Sequence, residues 1–213
     1  MSINRVLRIG ILCVPAMDDE AVTTIFRAIQ QAHTPTILLM TAGALSQRNW
    51  IEEILGNWCD VEELDLVLTI GGTLPAAGPS AAEVVPEATR TVAERLMPGL
   101  AEAMRYHAQA ESTLAWLDRG VVGIRGRSLI VNLPAGAAPA LLFLDAIVDL
   151  LPIAIAHLQG DPTAPQLLDE VVLGNAERED DTSAPTAASP SASSGKGLQA
   201  EEFAAFLKRS KAQ

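Results

Sequence analysis

Lysine is absent from most of the chain, since all three lysines, Lys196, Lys208 and Lys211, lie near the C-terminus. The formal net charge is −11 at pH 7. A surface that binds duplex nucleic acid needs concentrated positive charge to displace counterions, so this balance argues against nucleic acid and against an anionic membrane surface. A Walker-type phosphate loop places a lysine on the phosphates and is therefore excluded from the body of the chain. Any anion bound by the body has to meet arginine, backbone N–H groups or a metal.

Cysteine, histidine and aromatic residues are also scarce. Cys13 and Cys59 are too few for a disulfide framework or a metal cluster. The three histidines lack metal-ligand spacing, and the sequence contains no Ser-His-Asp arrangement, nucleophile elbow or dinucleotide fingerprint. Because only 4% of the residues are aromatic, we expect a core built mainly from Leu, Ile, Val and Ala.

The sequence shows no signal for export or for insertion into a membrane. Its start lacks the separate charged region, apolar region and cleavage site of a signal peptide. The longest apolar stretch, from Ala137 to Ala156, is interrupted by Asp145, Asp149 and Pro152, which argues against a membrane span. The expected location is the cytoplasm.

Strand patterns alternate with helix patterns over residues 1–173. Val6–Val14 is a continuous apolar run typical of a strand buried on both faces, and Asp18–Ala32 has helical spacing with an aspartate available as its N-cap. Alternation of this kind predicts an α/β three-layer sandwich with a mostly parallel sheet. Further helices are predicted at Pro86–Leu96, Pro98–Gln109 and Pro139–Leu151.

The composition changes at about residue 174. Residues 174–198 are acidic and then rich in Ser, Ala and Pro, which predicts a disordered linker because few large apolar residues are available to offset its ordering entropy. Residues 199–213 place Phe203, Phe206 and Leu207 at helical spacing. This pattern predicts a short amphipathic helix that docks on a protein partner or on the body, and the alternative is an unstructured tail.

Two loops that follow strands carry the candidate binding residues. Gly71 and Gly72 follow the third predicted strand, where paired glycines let a backbone approach a ligand closely, and Thr69 and Thr73 add hydroxyls. The second loop, residues 131–137, leads into a helix whose N-terminus favours an anion. For both loops the alternative is a tight turn that serves packing only.

Glu83 and Glu87 lie on either side of Pro86, just after the first of these loops. Glu87 falls in the first turn of a predicted helix, where a carboxylate is favourable because of the helix dipole. Glu83 precedes the helix, and its carboxylate is suited to holding Mg²⁺ or orienting a nucleophile. The alternative for Glu83 is a solvated loop carboxylate.

Five segments, in order between about Arg8 and Gly160, resemble the MoaB/Mog family. Residues 65–73, Asp-Leu-Val-Leu-Thr-Ile-Gly-Gly-Thr, resemble the family's D-L-V-L-T-T-G-G-T-G. The other four segments are Pro86–Thr89 (family T-P-E-A-T), Pro98–Arg105 (P-G-L/F-x-E-x-M-R), Leu117–Val121 (L-S-R-x-V) and Gly123–Pro134, which has the sequence pattern preceding the family's P-G-S-P loop.

The resemblance implies a role in molybdenum cofactor biosynthesis. Members of the family bind molybdopterin, and some use Mg²⁺ and ATP to adenylylate its phosphate, which is chemistry based on positioning and charge neutralisation. Members commonly form trimers or hexamers. By resemblance, Glu83 is the catalytic and metal-binding residue. The cofactor-binding residues that it implies are Thr69, Gly71, Gly72, Thr73, Asn132, Pro134 and Gly136.

The sequence departs from the family at the loops. Cys13–Ala16 stands in place of a T-V-S-D turn, and Ala82 stands at the position of an arginine. Glu83 replaces the catalytic aspartate and keeps a carboxylate there, whereas residues 134–137, Pro-Ala-Gly-Ala, lack the serine of P-G-S-P. These changes motivate a second hypothesis, in which the protein is a catalytically inactive member that acts as a scaffold or protein-interaction subunit.

Overall fold

The computed structural model describes residues 6–33, 35–75, 83–162 and 164. Six strands within them form one sheet: β1 (Leu7–Cys13), β2 (Thr36–Gly43), β3 (Leu66–Ile70), β4 (Arg95–Leu96), β5 (Val122–Arg125) and β6 (Ser128–Leu133). The strand order is β2-β1-β3-β6-β5-β4. The first four strands in that order are parallel, and β5 and β4 each run antiparallel to the preceding neighbour. The predicted mostly parallel sheet is confirmed.

Helices cover both faces of this sheet and complete three layers. They are α1 (Asp19–Ala32), α2 (Arg48–Asp60), α3 (Val85–Val92), α4 (Pro98–Ala108), α5 (Ala137–Asp145) and α6 (Leu151–Gln159), with a 3₁₀ helix at Thr113–Leu117. One apolar core joins the sheet to α1, α4, α5 and α6, and a second core joins its other face to α2 and α3. Both cores consist mainly of aliphatic side chains, as the low aromatic content predicts.

Local sequence explains how the first βα unit forms. Every residue of β1 except Arg8 is buried, which fits a central strand covered on both faces. The Asp18 carboxylate accepts a hydrogen bond from the Ala21 N–H at 2.9 Å and caps α1. The predicted N-cap of α1 is therefore confirmed and fixes where the chain leaves the carboxyl end of β1.

Two predicted helices end earlier than their patterns suggest. The helix predicted at Pro86–Leu96 stops at Val92, because Arg95–Leu96 pairs with β5 as a short edge strand. The helix predicted at Pro139–Leu151 starts at Ala137, ends at Asp145 and is followed by a turn before α6. Both corrections have the same cause, since tertiary pairing and turns override a local apolar period.

None of the helices among the described residues is long and apolar enough to cross a membrane. The predicted linker at 174–198 and the predicted helix at 199–213 lie outside the described residues and stay predictions.

Candidate ligand site at the carboxyl ends of the strands

A cavity of about 420 Å³ opens where the parallel strands end. It lies between the ends of β1 and β3, neighbouring strands whose following helices, α1 and α3, pack on opposite faces of the sheet. This change of direction is the place where open α/β sheets bind ligands. The cavity is lined by Val14, Pro15, Ala16, Met17, Asp18, Asp19, Ile70, Ala135 and Gly136.

Gly71 and Gly72 adopt conformations that other residues rarely take, with φ of 99° and 66°. A Cβ on Gly71 would lie 2.1 Å from the Val14 carbonyl oxygen, and one on Gly72 would lie 2.7 Å from the Val85 side chain. The Gly71 N–H donates to the Leu133 carbonyl at 2.9 Å, so the turn is held to the end of β6. These glycines therefore let β1, β3, β6 and α3 converge beside the cavity, and their ligand contacts stay a prediction.

Thr69 and Asn132 lie next to each other on β3 and β6, and both are fully buried. The Asn132 amide donates to the hydroxyls of Thr69 at 3.0 Å and Thr89 at 2.8 Å. Its carbonyl oxygen accepts from the Val121 N–H at 3.1 Å. This network joins two strands to α3, and neither Thr69 nor Asn132 lines the cavity. Their predicted contact with a ligand stays a prediction.

The loop after β6 supplies one wall of the cavity. Gly136 lines it and stands at the N-cap of α5 with φ of 91°, whereas Pro134 is buried and does not line it. The free N–H groups of the first turn of α5 and its dipole favour an anion at this wall. Of the residues predicted from sequence, Gly136 is the one that the structure brings directly to the cavity surface.

Asp118 was not predicted as a site residue from the sequence, and it is buried against the turn after β3. Its carboxylate accepts a hydrogen bond from the Thr73 hydroxyl at 2.5 Å and another from the Gly120 N–H at 2.8 Å. Burial raises the pKa of the Asp118 carboxyl above its usual value, and the two hydrogen bonds and Arg105 partly oppose this rise. The signal that could have identified it is Leu117–Val121, where Asp118 stands at the serine of the family pattern.

We expect the raised pKa of Asp118 to leave a signature in stability against pH. Its ionised form is disfavoured in the folded protein, so its contribution to the free energy of unfolding is present at acid pH and is lost as pH rises through the folded pKa. Replacing Asp118 by Asn should therefore benefit the protein more at about pH 7 than at about pH 3. Urea denaturation of wild type and variant at both pH values measures this difference.

Asp60 offers a matched control with the opposite sign. The hydrogen bonds from Arg125 lower the pKa of the Asp60 carboxyl, so its contribution is present at neutral pH and is lost as pH falls. The change D60N should consequently cost more at about pH 7 than at about pH 3. Equal pH slopes for D118N and D60N would contradict the assignment of the Asp118 shift to burial.

Arg119 joins the predicted catalytic residue Glu83 to α3. Its guanidinium donates to a carboxylate oxygen of Glu87, lies 3.8 Å from the Glu83 carboxylate and donates to the Glu83 carbonyl at 3.5 Å. The second carboxylate oxygen of Glu87 is buried and accepts no hydrogen bond from the described residues. Sequence reasoning missed Arg119, which follows Asp118 in the same segment.

Glu83 and Glu87 could supply some, but not all, of the ligands of a Mg²⁺ ion. Mg²⁺ in nucleotide sites is commonly held by one or two carboxylates together with substrate phosphates, and the unsatisfied oxygen of Glu87 is a suitable ligand atom. Among the described residues no group of three or more His, Cys, Asp and Glu side chains could hold a metal. Residues 74–82 contain none of these four residue types. Any metal here would depend on Glu83, Glu87 and ligand phosphates.

Comparison with known protein families gives a match over most of the described residues. The family described as a probable molybdopterin binding domain matches residues 17–156. The chain belongs to this family. The resemblance to the MoaB/Mog family and the fold that it implies are thereby confirmed.

Curated relatives carry the name molybdopterin adenylyltransferase. The chain is 36% identical to the Helicobacter pylori J99 protein over 115 residues, which is 54% of this chain and 63% of that protein. It is 35% identical to the Haemophilus influenzae protein over 137 residues, which is 62% of this chain and 68% of that protein. The match thus spans less than two thirds of the length of the Helicobacter pylori relative.

Solved structures of family members superpose on most of the chain. The molybdopterin biosynthesis enzyme MoaB of Thermus thermophilus has 36% identity and a TM-score of 0.65, covering 73% of this chain and 98% of that one. The molybdopterin biosynthesis Mog protein of Mycobacterium ulcerans has 26% identity and a TM-score of 0.59, covering 72% and 99%. Both matches extend over nearly the whole length of the solved proteins.

Proposed function

We propose that this protein acts in molybdenum cofactor biosynthesis by binding molybdopterin at the carboxyl ends of the strands, with the cytoplasm as its compartment. The observation that carries the proposal is the cavity at the switch point between β1 and β3 in a chain of this family. The cavity is large enough for a compact ligand, and its wall combines apolar side chains with polar groups. A flat pterin ring matches such a wall.

The phosphate of molybdopterin requires groups that favour an anion. The body has no lysine, and the cavity wall itself carries two carboxylates, Asp18 and Asp19. Donors that remain are the N–H groups at the start of α5, next to Gly136, and the backbone N–H groups of Gly72 and Thr73. We therefore propose that the phosphate lies toward these backbone groups and away from the aspartates.

We further propose adenylylation of molybdopterin with Mg-ATP as the reaction of this site. Glu83 and Glu87 would hold the Mg²⁺, which neutralises phosphate charge when it is bound. The chain's own residues would supply position: Arg119 keeps both carboxylates together at the start of α3. The names of the curated relatives support this finer proposal.

Turnover of purified protein with molybdopterin and Mg-ATP tests this reaction. We expect an adenylylated product and pyrophosphate, and we expect Glu83→Ala to lower the rate at least about a hundredfold because metal-assisted transfer depends on its carboxylate. Glu53→Ala removes an exposed carboxylate on α2 and serves as the control. Chromatography of the nucleotide products measures both. An unchanged rate in E83A would remove Glu83 from the catalytic role.

The second candidate is a catalytically inactive family member that binds molybdopterin or serves as a scaffold. The observation that favours it is the contact of Arg119 with Glu83 and Glu87, because a guanidinium already neutralises the carboxylates that a metal would need. Saturable binding without product supports this candidate. A homotrimer or hexamer belongs to the proposal through the resemblance alone, and a protein partner for residues 199–213 through the helical spacing of Phe203, Phe206 and Leu207.

A further inference from the structure

The segment Asp118–Gly120 contacts both ends of the loop between β3 and α3. At the near end, the Thr73 hydroxyl donates to the Asp118 carboxylate and the Arg119 N–H donates to the Thr73 carbonyl at 3.0 Å. At the far end, the Arg119 guanidinium contacts Glu83 and Glu87. The three residues therefore form a clamp across a loop whose middle, residues 76–82, lies outside the described part of the chain.

The near end of the clamp, where Asp118 binds Thr73, is buried and tightly packed. Asp118 is 6% exposed and Thr73 is 1% exposed, so water competes little for the hydrogen bond between them. A Cβ on Gly120 would lie 2.7 Å from the second carboxylate oxygen, so the glycine makes room for Asp118 to accept from its N–H. Arg105 donates to the Gly120 carbonyl at 3.0 Å and holds the same segment from α4. These contacts fix the carboxylate in one place.

The hydrogen bond also decides what Thr73 offers to a ligand. A hydroxyl has one proton, and the proton of Thr73 is donated to Asp118. Thr73 therefore has no hydroxyl proton left for a phosphate, and contact with an anion at this turn falls to its backbone N–H groups. Their direction depends on how Thr73 is held, because the Asp118 carboxylate and the Arg119 N–H both bind this last residue of the turn.

We propose that Asp118 is a positioning residue that orients the Gly71–Thr73 turn for its ligand by holding the Thr73 hydroxyl. The inference rests on the proposed function, since it takes molybdopterin as the ligand of the turn. Asp118 acts through Thr73 and does not itself touch the ligand. Removing either partner frees the Thr73 side chain, so loss of one makes the other irrelevant to affinity.

Calorimetric titration of the full chain with molybdopterin under anaerobic conditions tests the clamp. We expect Thr73→Val, which keeps the side-chain volume but removes the hydroxyl, to raise Kd about tenfold. Asp118→Ala should have the same effect, and the double variant should bind no more weakly than either single variant. Thr73→Ser should keep the affinity to within about threefold because it restores the hydroxyl.

Asp118→Asn separates positioning from a general loss of structure. Its amide can accept from Gly120 and donate to the Thr73 oxygen, so both hydrogen bonds survive and Kd should stay within about threefold of wild type. Asp60→Asn changes a carboxylate of the same type on the surface and serves as the matched control. If Asp118→Ala does not fold, Thr73→Val against Thr73→Ser decides the question.

The outcomes distinguish the clamp from the function on which it rests. Saturable binding by wild type, with weak binding by T73V and D118A and rescue by T73S and D118N, supports the clamp. Saturable binding by wild type together with wild-type affinity in T73V overturns the clamp and leaves the proposed function standing. Additive losses in the double variant also overturn it. No binding by folded wild type overturns the proposed function and the clamp with it.

Discussion

Replacing Gly71 by alanine is expected to lower the free energy of unfolding by about 3–5 kcal/mol. The alanine Cβ would lie 2.1 Å from the Val14 carbonyl oxygen, and a φ of 99° is strained for any residue with a side chain. Relief would require β1 and β3 to separate at the cavity, where Gly71 also bonds to the end of β6. Urea denaturation of wild type and G71A measures the change.

Gly56→Ala is the matched control for this change. Gly56 lies inside α2, and nothing lies within 4 Å of the position that a Cβ would take. We expect this alanine to raise the free energy of unfolding by about 0.5–1 kcal/mol, because glycine loses more backbone entropy in a helix. Equal stability of G71A and G56A would mean that the turn beside the cavity is not as closely packed as the structure has it.

Replacing Asn132 by alanine should lower the free energy of unfolding by about 2–4 kcal/mol. The change removes the fully buried amide that joins Thr69 and Thr89 and leaves the half-buried Val121 N–H without its acceptor. Sequence alone suggested Asn132 as a contact of the ligand. We expect urea denaturation without ligand to measure this loss of stability. The loss would show that the main role of Asn132 is to join β6, β3 and α3.

Asn57→Ala changes the same type of side chain at an exposed position on α2 and should leave stability within about 0.5 kcal/mol of wild type. Molybdopterin titration of the same variants separates the two roles of Asn132. A stable N132A that has lost its affinity would contradict the structural role and restore the direct contact predicted from sequence.

Gly71→Ala and Asn132→Ala both test which contacts hold the backbone around the cavity in place. In the proposed function, the groups that favour an anion are backbone N–H groups whose positions depend on Gly71, Gly136 and the network beneath them. Backbone donors cannot be exchanged by substitution in the way that side chains can. The family's binding function can therefore survive in this chain although several polar side chains of the family pattern have been replaced.

The order of strands and helices is largely a consequence of local sequence. Continuous apolar runs such as Leu66–Ile70 identify central strands, and Asp18 identifies the start of α1, because burial on both faces and helix capping depend on neighbours along the chain. The resemblance in five segments then gave the family and with it the sandwich. The predicted ends of α3 and α5 were wrong. Pairing of Arg95–Leu96 with β5 and a turn before α6 overrode the local helical period of apolar residues.

The candidate site was likewise predicted in part from the sequence. The pair Gly71 and Gly72 and the loop before α5 were predicted as ligand positions from the residues and the family pattern, and Gly136 does line the cavity. Whether a polar side chain faces a ligand or a neighbouring helix has no local signature, so Thr69 and Asn132 gave no sign of their mutual hydrogen bond.

The contacts of Asp118 and Arg119 show what only the tertiary structure decided. Thr73 and Asp118 are 45 residues apart in the chain, and Arg119 and Glu87 are 32 apart. Periodicity, capping and turn chemistry report on neighbours within a few residues, whereas a hydrogen bond over such separations exists only once the sheet has brought the segments together. The sequence by itself determined the family, the layers and the absence of lysine from the body; the packing of the strand ends decided which side chains hold the loop and which face the cavity.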